Sequence, residues 1–143
     1  MAQYVMGVDN GGTVIKAALF CLDGTETAVA AQSTPVFSPR PGYQERDMEE
    51  VWRANCACIR QVIKQSGISP RDIAALAVCG HGKGLYLWGK DGKPAYPGIA
   101  STDNRAWSYP LHWEETGVFD RLYPQLCQKQ LACQPSALLA WMK

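Results

Sequence analysis

The chain lacks any concentration of charge. Its 14 Lys and Arg balance 13 Asp and Glu to a formal net charge of +1, and no stretch clusters the basic residues that a nucleic-acid or anionic-membrane surface requires. No apolar run reaches the length of a membrane span. Met1-Ala2-Gln3 leads straight into strand-like sequence without the basic start and long apolar stretch of a signal peptide, so a cytoplasmic setting is expected. Histidine is scarce: His81 and His112 are too isolated to build a metal site. The six cysteines contain no Cys-x-x-Cys pair, and Cys56 and Cys58, the nearest two, would point to different faces of a helix. Reduced, mostly buried thiols are expected, not a disulfide framework. Internal repeats and low-complexity tracts are absent too. What remains, 47% hydrophobic and 19% charged residues over 143 positions, is enough for one globular domain with a real core and points toward small-molecule chemistry.

Two apolar runs, Tyr4 to Val8 and Val14 to Leu22, converge on Asp9-Asn10-Gly11-Gly12-Thr13-Val14-Ile15-Lys16. Asn-Gly between alternating hydrophobics is a strong hairpin signal, and a hairpin need bind nothing. The same turn has a second reading. At a sheet end its N–H groups are unpaired, beside a carboxylate able to hold Mg²⁺ through water and an amine able to meet a phosphate oxygen. A Walker loop is excluded, because the positions after Gly7 lack its lysine. A dinucleotide fingerprint is excluded as well, because a β-branched run follows the glycines where a helix should begin.

Downstream, Asp23-Gly24 turns the chain into a third run, Thr27 to Thr34, which completes a meander. Residues 38–43 read as a prolyl loop. Asp47, with Glu50 three residues on and Gly67 past the end, frames a helix whose apolar stripe is Met48, Trp52, Cys56, Ile59 and Ile63. Ile73 to Cys79 is nearly all apolar, the pattern of a central strand covered on both faces. It runs into Gly80-His81-Gly82-Lys83-Gly84, which at a strand end reads either as a ligand-approach loop or as a flexible surface turn. A small hairpin around Asp91-Gly92 follows. Thr102 or Asp103 is then placed to cap a helix through 104–107, with Pro110 kinking or restarting it. Pro135 opens a last helix, in which the sequence stops without a C-cap, as expected of a piece of something longer.

The order strand, Asp-x-Gly-Gly-Thr turn, strand, strand, helix, strand resembles the α/β ribonuclease H-like half-domain of the actin, Hsp70 and sugar-kinase superfamily, a mixed sheet flanked by helices. Gly7 to Thr13, Pro41-Gly42-Tyr43-Gln44-Glu45-Arg46-Asp47, the Gly80 to Gly84 loop, Asp103-Asn104-Arg105, and Pro135-Ser136 to Trp141 recur in this order in the FGGY carbohydrate kinases. The Gly82-Lys83-Gly84 loop is similar to that of the L-xylulose kinase branch. The resemblance spans essentially all of 1–143, as the N-terminal part of the family's first domain, with the remainder and the second domain beyond it.

The resemblance implies transfer of the ATP γ-phosphoryl to a hydroxyl of a ketose, a pentulose such as L-xylulose, with ATP and Mg as cofactors. It places Asp9 beside the metal and the transferring phosphoryl, as catalytic and metal residue. Asn10, Gly11, Gly12, Thr13 and Lys16 fall in the phosphate site, and Gly82, Lys83 and Asp103 face the sugar. The base and the adenine pocket would come from other sequence, so the 143 residues alone are expected to be inactive. The partner implied is a small sugar, with no nucleic acid and no membrane, and a homodimer of the complete protein stays open. The departures count as well. Glycerol kinases carry Arg-Glu, and D-sugar xylulokinases Met-His, where this chain has Gly82-Lys83, and Ser101 replaces a sugar-stacking tryptophan. A non-catalytic actin-like ATPase or a regulatory sugar-kinase homologue is the alternative.

Overall fold

A computed structural model describes residues 3–143, which form two compact units, each with its own apolar core. The first contains residues 3–35 and 49–81. Alternating apolar residues make β1 (Tyr4–Asn10) and β2 (Val14–Cys21) an antiparallel hairpin, with β3 (Glu26–Ser33) antiparallel to β2. Helix α1 (Met48–Ser66) follows, ending at Gly67 with φ +68°. The first unit is completed by β5 (Ile73–Gly80), parallel to β1, in the order β3-β2-β1-β5. Met6, Val8, Ile15, Ala17 and Leu19 point to one face, where Ala54, Cys58 and Val62 of α1 cover them. Small residues at 17, 54 and 58 bring helix and sheet close enough for the Cys58 thiol to lie 3.6 Å from the Ile15 carbonyl. Burying Ile15 and Leu19 completely contributes about 1.5–3 kcal/mol each.

The second unit, residues 36–48 and 82–143, holds a two-stranded ribbon of β4 (Glu45–Arg46) and β6 (Gly98–Ile99), extended by bridges from Phe37 to Glu45 and from Leu85 to Ile99. Three helices follow: α2 (Ser108–Glu115), α3 (Val118–Leu126) and α4 (Pro135–Met142). Leu85, Ile99, Ala106, Ala137 and Leu138 form its core. Pro110 lies in the first turn of α2, where its missing N–H costs nothing, so the helix starts around it.

Several expectations are corrected. The buried stripe of α1 departs from the predicted one in its first half: Ala54, Cys58 and Val62 face the sheet, with the predicted Ile59 and Ile63 packed beside them, while Trp52 is 65% exposed. The bulk of Trp52 and Met48 suggested a face that the small residues occupy instead. Among the described residues strand β5 lies at the edge of the sheet, not at its centre, and its apolar side chains are open: Val78 is 65% exposed. An all-apolar run reports that a strand wants cover on both faces, and among the described residues that cover is incomplete, with Leu76 49% exposed. No helix forms over 104–107. The chain turns there, and α2 starts at Ser108 without a side-chain cap. The thiols are all free, but only Cys58 and Cys133 are buried, and Cys79 and Cys127 are exposed.

Candidate functional site

Two loops carry the residues that the sequence singled out, one in each unit. In the first unit, strand alternation turns Asp9 away from α1, and the β1–β2 register sets it directly opposite Lys16. Both side chains are exposed, and among the described residues neither has an ion-pair partner. They close one end of a groove of about 360 Å³ on that face of the sheet, floored by Gly7, Ala18 and Ala77, with Cys79 in register beside Asp9. Between them the turn is tight. A Cβ on Gly11 would run into the Val14 carbonyl oxygen, so only glycine lets the backbone fold back there. Gly12 and Thr13 form the tip, and the Thr13 carbonyl is tied to the N–H of Thr34 at 3.0 Å. Asn10 points the other way, its amide oxygen accepting from Asn55 Nδ2 of α1 at 3.3 Å. Among the described residues no group of three or more His, Cys, Asp or Glu gathers into a metal site. A cation at this turn would therefore rest on the Asp9 carboxylate, water and phosphate oxygens, the coordination style of Mg²⁺.

In the second unit Gly82 and Lys83 are exposed, and Lys83 takes the left-handed conformation at φ +65°. For a side chain with a Cβ this is costly, and it persists because the next residue is pinned: the Gly84 N–H donates to the Cys133 carbonyl at 2.7 Å. Asp103, by contrast, is buried. It is 3% exposed and both oxygens are engaged. Oδ1 accepts from Arg105 N at 2.9 Å and Nε at 3.0 Å, while Oδ2 accepts from Arg105 Nη2 at 2.9 Å and from Gln44 N at 2.6 Å. Arg105 also meets Glu45 at 2.8 Å, and its guanidinium stands 4.1 Å from the Tyr43 ring centre and 5.2 Å from that of Trp141. Burial alone would push the Arg105 pKa down, but the hydrogen bonds and charges of Asp103 and Glu45 outweigh it and hold it above the usual value.

Residues 4–143 match the N-terminal domain of the FGGY family of carbohydrate kinases. The chain belongs to that family. It is 38% identical over 143 residues to the L-xylulose/3-keto-L-gulonate kinase of Escherichia coli, covering 100% of this chain and 29% of that protein. It is likewise 38% identical over 141 residues to a probable L-xylulose kinase of Haemophilus influenzae, covering 99% of this chain and 29% of the relative. The chain thus spans less than a third of the length of the curated relatives it matches. Among solved structures it superposes on the xylulose kinase of Rhodospirillum rubrum with a TM-score of 0.88 at 23% identity, over 98% of this chain and 29% of the other. The fold is therefore the FGGY sugar-kinase fold, of the actin and Hsp70 type, with its mixed sheet and flanking helices.

Within that frame three residues matter that sequence reasoning left without a role. Arg105 organises the second unit's loops. Asn55 and His81 grip Asn10. A signal existed for Asn55: a polar side chain four residues from both Val51 and Ile59, on a helix face that turns to the sheet, needs a buried partner.

Proposed function

We propose that this chain is the first part of an ATP-dependent ketose kinase that transfers a phosphoryl group to a hydroxyl of a pentulose such as L-xylulose or a related sugar acid. The observation that carries the reading is the Asp9–Lys16 turn: an exposed carboxylate and an exposed ammonium stand in register across a glycine hairpin that leaves no room for a side chain at Gly11. Bound Mg-ATP supplies the phosphoryl group and neutralising charge. Around it we assign the Gly11-Gly12-Thr13 backbone to the phosphate oxygens, Lys16 to balancing negative charge, and Asp9 to holding the cation and orienting its waters. The relatives' names support a ketose acceptor, and the exposed Gly82-Lys83 loop is the segment we assign to it, with the Lys83 ammonium donating to a sugar hydroxyl. Asp103 serves the same loop cluster from behind, by fixing Arg105 and the N–H of Gln44.

In this reading residues 1–143 are the N-terminal part of the first ribonuclease H-like domain of a cytoplasmic enzyme, whose base and adenine pocket lie in sequence beyond them and which is active as a single chain or a homodimer. The 143 residues alone then phosphorylate nothing. A thermal-shift screen of the complete protein against ketoses, with and without Mg-ATP, followed by ADP-release kinetics on the sugars that bind, tests the proposal. Sugar at a hundredfold excess over its Kd should add about 2.7 kcal/mol of stability. A complete protein that no ketose stabilises and that releases no ketose-dependent ADP would overturn it.

A further inference from the structure

The turn that carries Asp9 is held from behind as well as by its own hairpin. Asn10, the last residue of β1, is gripped at both of its oxygens. Its amide oxygen accepts from Asn55 Nδ2, whose second hydrogen is committed to the Val51 carbonyl at 2.9 Å, so the Asn55 amide has one orientation. Its main-chain carbonyl lies 2.9 Å from His81 Nδ1 and 3.3 Å from the His81 N–H. Gly80 makes this approach possible, since a Cβ there would sit 3.1 Å from the same oxygen. A carbonyl oxygen can only accept, so Nδ1 must carry a hydrogen in every charge state that keeps this contact.

We propose that His81 is a positioning residue of the phosphoryl-transfer site: held as the Nδ1–H tautomer, it locks the Asn10 carbonyl and so sets the aim of the Asp9 carboxylate on one side and of the Gly11 and Gly12 N–H groups on the other. The Asn10 carbonyl lies in the peptide plane shared with Gly11, and the plane shared with Asp9 joins it at the Asn10 Cα, so holding that carbonyl fixes the first and limits the swing of the second. His81 also stands immediately before Gly82 and Lys83 in the sequence, so the strand that pins the turn is the one that feeds the sugar-facing loop. The kinetic half of this inference rests on the kinase reading above. The tautomer and the rigidity of the turn do not.

The experiment uses the complete protein and two variants, His81→Asn, which keeps an N–H donor where Nδ1 stands, and His81→Leu, which has none. Nitrogen-15 NMR of the wild-type imidazoles should show neutral His81 protonated at Nδ1, and finding the Nε2–H tautomer overturns the proposal. Hydrogen exchange of the Gly11–Thr13 amides should speed up about tenfold in His81→Leu and stay near wild type in His81→Asn. The kcat/KM for Mg-ATP should fall about tenfold in His81→Leu, the size of one lost hydrogen bond, while the ketose Kd measured without nucleotide moves less than twofold. Unchanged exchange, a loss confined to ketose binding, or an Asn variant as impaired as the Leu variant each overturns it. If His81→Leu does not fold, His81→Asp, which sets an acceptor against the carbonyl, replaces it with the same expectations. A wild type that phosphorylates no ketose would refute the kinase reading instead, and the tautomer and exchange results would still decide this one.

Discussion

Replacing Arg105 with methionine removes a guanidinium whose side chain has no solvent exposure and strands the Asp103 carboxylate, equally inaccessible, with only two backbone N–H donors, from Gln44 and from residue 105 itself. Glu45 is 17% exposed at its side chain and recovers part of its hydration, so the cost falls mainly on Asp103. Breaking a buried pair by deleting one partner costs about 3–5 kcal/mol, and loss of the stacking on Tyr43 adds about 1 kcal/mol. With an unfolding slope of about 2 kcal/mol per molar urea, the midpoint of the transition should fall by about 2–3 M. Trp88, Trp107, Trp113 and Trp141 all lie in the second unit, so their fluorescence follows the transition there. Asp103→Leu in the same background should restore part of the loss, because no charge is then left without its partner. A fall in the Arg105→Met midpoint of under about 0.3 M, or strict additivity in the double variant, would refute the claim that this network fixes the loops of the second unit.

Asp9→Asn in the complete protein should leave the melting temperature within about 2 °C and reduce Mg-dependent turnover at least a hundredfold, as loss of a metal-holding charge does. Lys83→Gly should relieve the left-handed strain and raise stability by about 0.5–1 kcal/mol while raising the ketose KM; a variant with unchanged KM would remove Lys83 from the sugar site. Burial raises the pKa of Cys58, and it raises that of Tyr86 despite the opposing hydrogen bond and charge of Arg46. Both groups therefore stay protonated in the fold to higher pH than in the unfolded chain. Their contribution is complete below the ordinary thiol value of 9.0 and is lost as pH climbs through the raised values, so the melting temperature should drop above about pH 9. A melting temperature that rises there would contradict the burial. For the same reason Cys79 and Cys127 should react with iodoacetamide well before Cys58, as peptide mass mapping would read.

The hairpin and its turn were legible because they are local. Alternation in Tyr4 to Val8 and Val14 to Leu22, with Asn10-Gly11 between, leaves few other conformations. The pairing of Asp9 with Lys16 across the two strands follows from that register alone. The phase of α1 was legible in its second half, where Ile59 and Ile63 pack on the core, and not in its first, since Trp52 is more hydrophobic than Ala54 or Cys58 and only the closeness of the sheet selects the smaller pair. Asp103 was misread as a helix cap because its partner on the far side, the N–H of Gln44, is 59 positions away and no local pattern announces it. The apolar run of β5 correctly gave a strand, but a run of that kind states what a strand needs, not where it lies in the sheet.

The exposed edge of β5 has a consequence for handling the chain. From Ile73 to Gly80 it carries no charged residue, no proline and no polar side chain, and its outer row of N–H and C=O groups has no neighbouring strand among the described residues. Such an edge is a template for another copy, and nothing along it acts as a gatekeeper. Concentrated solutions of these 143 residues should self-associate through this strand. The strand whose end holds the Asn10 carbonyl is thus also the expected adhesive margin of these 143 residues, and Ala75→Lys would be the first remedy for precipitation during purification.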